Sequence, residues 1–218
     1  MIKQWMLAML TALALMVNPA VAQASWQEAS AVVDSATGDM LALMDREELT
    51  DPNNVEPLMQ EIEKVIAPVV DFPYIAKRVM GKYYRRATDA ERERFAEVFK
   101  TTLLRTYAKS IAGFELTRYE IQSPVGESPE PEKQVVTVEV RSSNGETYAL
   151  VYYMLKQADR WTLVNVMVDG INLRITFRNQ FSDLYQQNRS ISGTIDAWAE
   201  KMDNIKLEKT AGDDDSDS

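Results

Sequence analysis

The sequence predicts an α+β domain in which a small, twisted, antiparallel sheet of four strands is wrapped by about six or seven helices. Two observations predict it. Apolar residues recur at three- and four-residue steps up to Gly113, at alternate positions from there to Gly170, and at helical steps again beyond. Asn144-Gly145, the strongest hairpin signal in the chain, falls inside the alternating region.

The elements follow in order. Residues 26–49 carry Val32, Val33, Ala36, Met40, Leu41 and Met44 at helical steps, and Asp51-Pro52-Asn53-Asn54 makes a turn. Pro57 opens a second helix with Leu58, Ile62, Val65 and Ile66 on one face, and Pro68 interrupts it. Asp71 caps a third, with Pro73 in its first turn and Phe72, Ile75, Ala76 and Val79 inward, as far as Gly81. Thr88-Asp89-Ala90-Glu91 has capping-box spacing and starts the longest helix, to about Ile111. Its apolar stripe is Phe95, Val98, Phe99, Leu103 and Tyr107, and Gly113 stops it.

Phe114, Leu116 and Ile121 suggest a first strand, and Pro124 to Pro131 a loop. In the second strand Val136, Val138 and Val140 alternate with Thr137, Glu139 and Arg141. Tyr148 to Leu155 is apolar at every position, the pattern of a strand covered on both faces, so its parity stays open. After a turn at Asp159-Arg160, Trp161 to Val168 sets Thr162, Val164, Val166 and Val168 on one face, and Gly170 ends the sheet. Ile171 to Gln187 fits a helix through Leu173, Phe177, Phe181 and Leu184, and Ser192 is placed to cap a last helix with Ile195, Trp198, Ala199 and Met202. Residues 209–218, KTAGDDDSDS, form an acidic tail expected to be disordered.

The amino terminus predicts export. Lys3, the apolar run Trp5 to Val17 and the small residues of Asn18-Pro19-Ala20-Val21-Ala22-Gln23-Ala24 have the three parts of a secretory signal peptide. The apolar run, about 13 residues, is too short to span a bilayer. Cleavage is expected after Ala22, with Ala24 the alternative, leaving a single domain over 23–208 followed by the tail at 209–218. The expected location is beyond the inner membrane.

The 218 residues include no cysteine and no histidine, and 24 Lys and Arg stand against 33 Asp and Glu, for a net charge of -9. Disulfides, thiolate nucleophiles, thiol-ligated metals and Ser-His triads are thereby excluded, together with the usual general base. The acidic balance argues against nucleic acid as a partner. No spacing identifies a catalytic residue. Asp169-Gly170-Ile171-Asn172 lacks the further carboxylates of a calcium loop and reads as a turn, and no metal site or cofactor is expected.

Two features bear on function. One is the breadth of the apolar stripes, which is compatible either with an ordinary packed core or with a pocket between helices and sheet. The other is a basic run, Lys77, Arg78, Lys82, Arg85 and Arg86, in an acidic chain. It reads either as a solvated face or as a patch for phosphate headgroups, an anionic membrane or an acidic partner.

Three segments in register carry a resemblance. Residues 71–88 read DFPYIAKRVMGKYYRRAT, residues 94–107 RFAEVFKTTLLRTY and residues 161–181 WTLVNVMVDGINLRITFRNQF. Together, behind a signal peptide, they resemble the MlaC-type phospholipid-binding proteins, the toluene-tolerance family of Gram-negative periplasms, over about 30 to 202. The chain departs from that pattern with Asn165 for the usual Asp, with Asp169-Gly170-Ile171-Asn172 for Glu-Gly-Val-Ser, and in lacking a glycine between Gln186 and Arg189.

The resemblance implies a periplasmic shuttle, not an enzyme, that carries phospholipid between an outer-membrane lipoprotein–porin complex and an inner-membrane ABC transporter with an MCE-domain subunit, maintaining outer-membrane lipid asymmetry. It implies acyl chains held in an apolar cavity between sheet and helices, with phospholipid as cargo. The expected lining is Phe72, Ile75 and Val79, then Phe99, Leu103 and Tyr107, with Val138, Val140, Leu150, Tyr152, Val164, Val166 and Val168 from the sheet. Ile171, Leu173, Ile175 and Phe177 are expected to form a wall or gate, and Arg78, Lys82, Arg85 and Arg86 to touch a partner or the headgroup. Weak headgroup selectivity is expected. Two other classes stay open: an enzyme on an NTF2-like cone-shaped α+β fold with a carboxylate base, and a carrier or chaperone for lipoproteins.

Overall fold

The computed structural model describes residues 19–49, 55–111 and 116–203. The apolar run of the export signal, the Asp51–Asn54 turn, Gly113, Phe114 and the acidic tail lie outside the described residues. The order is α1 (Pro19–Met44), a 3-10 turn (Glu47–Leu49), α2 (Glu56–Ile66), α3 (Phe72–Met80), a 3-10 turn (Gly81–Tyr83), α4 (Asp89–Ile111), β1 (Leu116–Gln122), β2 (Lys133–Ser142), β3 (Thr147–Gln157), β4 (Arg160–Val168), β5 (Ile171–Asn172), α5 (Leu173–Asn188) and α6 (Ile191–Asp203).

Local chemistry sets the helix ends. The Asp71 carboxylate accepts from the Tyr74 N–H at 2.9 Å, with a proline in the first turn of α3. At α4 the capping box is closed in both directions: Glu91 N–H donates to Thr88 Oγ1 at 3.2 Å and Thr88 N–H to Glu91 Oε2 at 2.8 Å. Asn172 caps α5 through the Ile175 N–H. Helix α6 is capped by Ser190 rather than by Ser192. The Gly193 N–H donates to Ser190 Oγ at 3.0 Å, and a Cβ at Gly193 would stand 2.8 Å from that oxygen, so glycine keeps the cap open. Ser192 instead accepts from Arg94 Nη1.

Among the described residues the sheet has five strands, not four, in the antiparallel order β1-β2-β3-β4-β5. The fifth strand is the pair Ile171-Asn172, which read as the start of a helix. Asp169 and Gly170 both have positive φ, at 47° and 81°, so they form a two-residue turn that folds the chain back onto β4. The Asp169 carboxylate steadies that turn by accepting from the Ala149 N–H at 2.9 Å. At its other end β4 is covered by the chain leaving α2: Leu163 N–H donates to Val69 O at 2.7 Å and Asp71 N–H to Leu163 O at 3.1 Å.

Between these ends β4 carries a bulge. Tyr153 pairs with Asn165 but Met154 pairs with Leu163, leaving Val164 as the extra residue. The side-chain alternation of β4 therefore reverses at Val164.

The buried apolar residues form three separate clusters. One lies among α3, α4, α5 and α6 and is built on rings, with Phe95 against Trp198 at 5.4 Å and against Phe181 at 4.8 Å, both edge-on. A second joins α1, α2 and α4 through Leu43, Leu58, Ile62, Leu104 and Ala108. The third seals the first half of α1 onto the sheet through Ala29, Val33, Val136, Val138 and Trp161. Polar tethers reinforce this seal: Trp26 Nε1 donates to Val135 O, Tyr119 Oη to Asp34, and both Lys156 Nζ and Trp161 Nε1 reach Glu28.

Candidate functional site

The three clusters share no buried residue, and Ile66 packs against two of them. The space between them is a cavity of about 350 Å³ with overwhelmingly apolar walls. Helix α1 supplies one wall with Val32, Val33, Ala36, Thr37, Met40, Leu41 and Met44. Ile66, Val69, Val70, Phe72 and Ile75 continue it through the end of α2 into α3, and Phe99, Leu103 and Tyr107 follow from α4 at the four-residue spacing that keeps one helix face inward. The sheet contributes Leu116, Val140, Leu150, Tyr152, Met154, Leu163, Asn165, Val166 and Val168, and α5 contributes Leu173, Arg174 and Phe177.

Few polar groups reach this lining. The Thr37 hydroxyl is spent on Val33 O at 2.7 Å. Burial pushes the Tyr152 phenol well above the ordinary tyrosine range, so it stays neutral, and nearby Tyr107 adds to that effect. Tyr107 is ringed by protein yet 48% accessible, because the space beside it is hollow. Asn165 is 3% exposed and its Oδ1 has no hydrogen-bond partner among the described residues. Arg174 is half-buried and stands where the cavity meets a second recess, lined by Tyr74, Arg78, Arg174, Ile175 and Arg178. No Asp or Glu lines the cavity among the described residues, so it presents no carboxylate base.

Of the positions expected from sequence, Phe72, Ile75, Phe99, Leu103, Tyr107, Val140, Leu150, Tyr152, Val166, Val168, Leu173 and Phe177 are on the cavity wall. The open parity of β3 resolves with Leu150, Tyr152 and Met154 inward. Five positions are elsewhere. Val79 is fully buried in the aromatic cluster, because α3 is wedged against α4 and α5 and only its Phe72–Ile75 side reaches the hollow. Val138 is fully buried under α1, where helix and sheet touch directly. Val164 is the bulge residue, and beyond it Leu163 takes the inward place. Ile171 and Ile175 are 55% and 45% exposed, Ile171 in the edge strand β5 and Ile175 in the outer recess.

The lining that sequence reasoning missed is mainly α1. Its signal was present: seven positions from Val32 to Met44 face the cavity, a stripe wider than contact with one neighbour requires. Leu163, Met154 and Asn165 were hidden by the bulge and the two-sided β3.

The basic residues do not act as one patch. Arg78 donates to the Tyr74 hydroxyl at 3.0 Å and lies over its ring, in the recess beside Arg174. Lys82 covers the Tyr83 ring, and Arg85 and Arg86 are exposed at the exit of the 3-10 turn.

Known proteins with this architecture match in both sequence and structure. The toluene tolerance protein ttg2D of Pseudomonas putida is 29% identical over 177 residues, covering 80% of this chain and 81% of that protein. The intermembrane phospholipid transport system binding protein MlaC of Haemophilus influenzae is 22% identical over 148 residues, covering 63% and 64%. A solved phospholipid-binding protein from Ralstonia solanacearum, in complex with a phospholipid, superposes with a TM-score of 0.73 at 26% identity, over 81% of this chain and 97% of that one. The family described as MlaC protein matches residues 34–200, from the middle of α1 to the last turns of α6, and the chain belongs to that family.

Proposed function

We propose that the protein is a periplasmic carrier that holds the acyl chains of a phospholipid in the cavity between sheet and helices. The observation that carries this reading is the hollow itself: about 350 Å³ walled by aliphatic and aromatic side chains, in a fold shared with a protein solved in complex with a phospholipid. Each methylene left in water costs about 0.8 kcal/mol, so two chains of about fifteen methylenes cost roughly 24 kcal/mol to expose. A carrier removes that cost by offering a dry surface and no covalent chemistry. It must match a bilayer without greatly exceeding it, or the lipid would not leave.

The supply and delivery sites fit the same reading. We assign the cargo's source and destination to an outer-membrane lipoprotein–porin complex and an inner-membrane ABC transporter with an MCE-domain subunit. Exposed Arg85 and Arg86 supply a charged surface for docking either partner. Residues 1–22, read as an export signal, support a periplasmic location for the mature chain, and no helix among the described residues is long and apolar enough to cross a membrane.

The test is native mass spectrometry of protein purified without detergent. Co-purified phospholipid in stoichiometric amount is expected. A protein consistently empty after mild purification refutes the carrier, and acylated peptide in place of phospholipid identifies a lipoprotein carrier instead.

A further inference from the structure

We propose that Arg174, Arg178 and Arg78 form a phosphodiester-binding recess at the mouth of the cavity, through which the protein reads the phosphate of its cargo and little else of the headgroup. This rests on the carrier reading above and adds to it a polar subsite.

The recess, of about 430 Å³, is lined by Tyr74, Arg78, Arg174, Ile175 and Arg178, and Arg174 also lines the apolar cavity. The two spaces thus share a wall, with hydrocarbon-facing side chains on one side of Arg174 and guanidinium groups on the other. That is the division a phospholipid carries at its glycerol.

Two of these arginines are held in place by groups other than acids. Arg78 is fixed by the Tyr74 hydroxyl at 3.0 Å and by that ring beneath its guanidinium at 4.9 Å. The Arg178 stem lies over Gly81, where a Cβ would stand 3.5 Å from Arg178 Cδ. Among the described residues Arg78, Arg174 and Arg178 pair with no carboxylate, and neither do exposed arginines such as Arg85 and Arg86; what sets these three apart is that they line one recess. In a chain of net charge -9, three unpaired arginines gathered in one recess leave an anion as the missing partner. Two of them sit in the first two turns of α5, where the helix dipole adds to the positive field. Guanidinium forks suit phosphate oxygens in pairs, and besides them the recess lining carries only the Tyr74 hydroxyl, which already accepts from Arg78, to discriminate what lies beyond the phosphate.

The experiment compares two lipids with identical tails on delipidated full-length protein: dioleoyl phosphatidylglycerol, and dioleoylglycerol, which lacks the phosphate. The wild type is expected to prefer the phospholipid by about tenfold to a hundredfold. In R78Q/R178Q, which alters the two recess arginines outside the apolar cavity lining, that preference is expected to fall to about twofold or less, with dioleoylglycerol binding unchanged, which also shows the variant to be folded. Equal binding of both lipids by the wild type overturns the recess while leaving the carrier standing. Failure to bind either lipid overturns both. Equal loss of both lipids in R78Q/R178Q reduces the arginines to a structural role and refutes the proposal. Tight binding of inorganic phosphate with no preference between the lipids identifies a free-anion site and refutes it also. A variant with unchanged preference that fails only in docking assigns the arginines to an acidic partner surface instead.

Discussion

Filling the hollow should stabilise the protein and disable it in one substitution. Ala36 lies midway along α1, half-buried, with its side chain on the cavity wall. In Ala36→Phe the new ring enters space that no atom occupies. A phenyl group that buries about 100 Å² of apolar surface gains about 2.5 kcal/mol at 25 cal/mol per Å². Against this stands a helix-propensity cost of about 0.5 kcal/mol. The same ring displaces about five methylenes of cargo, worth about 4 kcal/mol, or about a thousandfold in lipid retention. Ala76→Phe is the control, since Ala76 is 2% exposed in the aromatic cluster and a ring there has nowhere to go. Chemical denaturation of delipidated protein and native mass spectrometry of bound lipid read the two effects. A36F should melt later and come out empty, whereas A76F should be destabilised. If A36F is destabilised as strongly as A76F, the space beside α1 is not vacant and the carrier argument loses its foundation.

Three further outcomes follow from the geometry. Glu28 is held below the usual carboxylate range, first by its hydrogen bond from Lys156 and then by that from Trp161, so its contribution is present above the ordinary glutamate pKa and fades as pH falls through the lowered value. Glu28→Gln should therefore be less stable than wild type in urea at pH 7, and the gap should narrow as the pH falls below the ordinary glutamate range. A gap that stays constant across that range would remove the ion pair as its cause. Asn165→Leu removes a buried carbonyl oxygen that has no partner, so denaturation should show a gain of about 1–3 kcal/mol, and a loss instead would mean that Asn165 is hydrogen-bonded in solution. Charge reversal in Arg85→Glu/Arg86→Glu should slow lipid delivery to acceptor membranes carrying the partner complex, more at low salt than at high, while bound lipid stays at the wild-type level. Loss of the lipid itself would place those residues at the headgroup.

Much of the fold was legible because its signals are local. The cap at Asp71, the capping box at Thr88 and Glu91 and the alternation of Val136, Val138 and Val140 each need only a few neighbouring residues, and the structure has all of them. What stayed hidden depends on partners distant in sequence. The β4 bulge is created by pairing with β3, and no pattern inside Trp161–Val168 announces it. A strict period of two therefore put Val164 inward in place of Leu163. Val138 and Val140 show the same limit from another side. They share a face of β2, yet α1 seals one and leaves the other at the edge of the hollow, a distinction set only by where the helix crosses. The short strand β5 was missed because its two residues are apolar and polar like any helix start, and only the positive φ of Asp169 and Gly170 turns them back.

A protein interior normally closes on itself, and an unfilled space of this size carries a cost in stability that scales with its volume. The hollow persists because its walls are anchored away from it. The first half of α1 is fixed to the sheet by Ala29 and Val33 and by the tethers at Trp26, Glu28 and Asp34. Its far end, at Leu43, is fixed to α2 and α4, so the stretch between spans the gap without needing contacts across it. Phe99 and Phe177 are held edge-on to each other at 5.6 Å within the aromatic cluster, so the helical wall cannot slump toward Tyr152. Lipid that enters such a space replaces missing contacts rather than existing ones. Its binding energy therefore adds to stability by mass action, and the empty protein is the strained partner in each transfer. That strain favours picking cargo up and returns in full when cargo leaves, so release depends on an acceptor that holds the lipid at least as well.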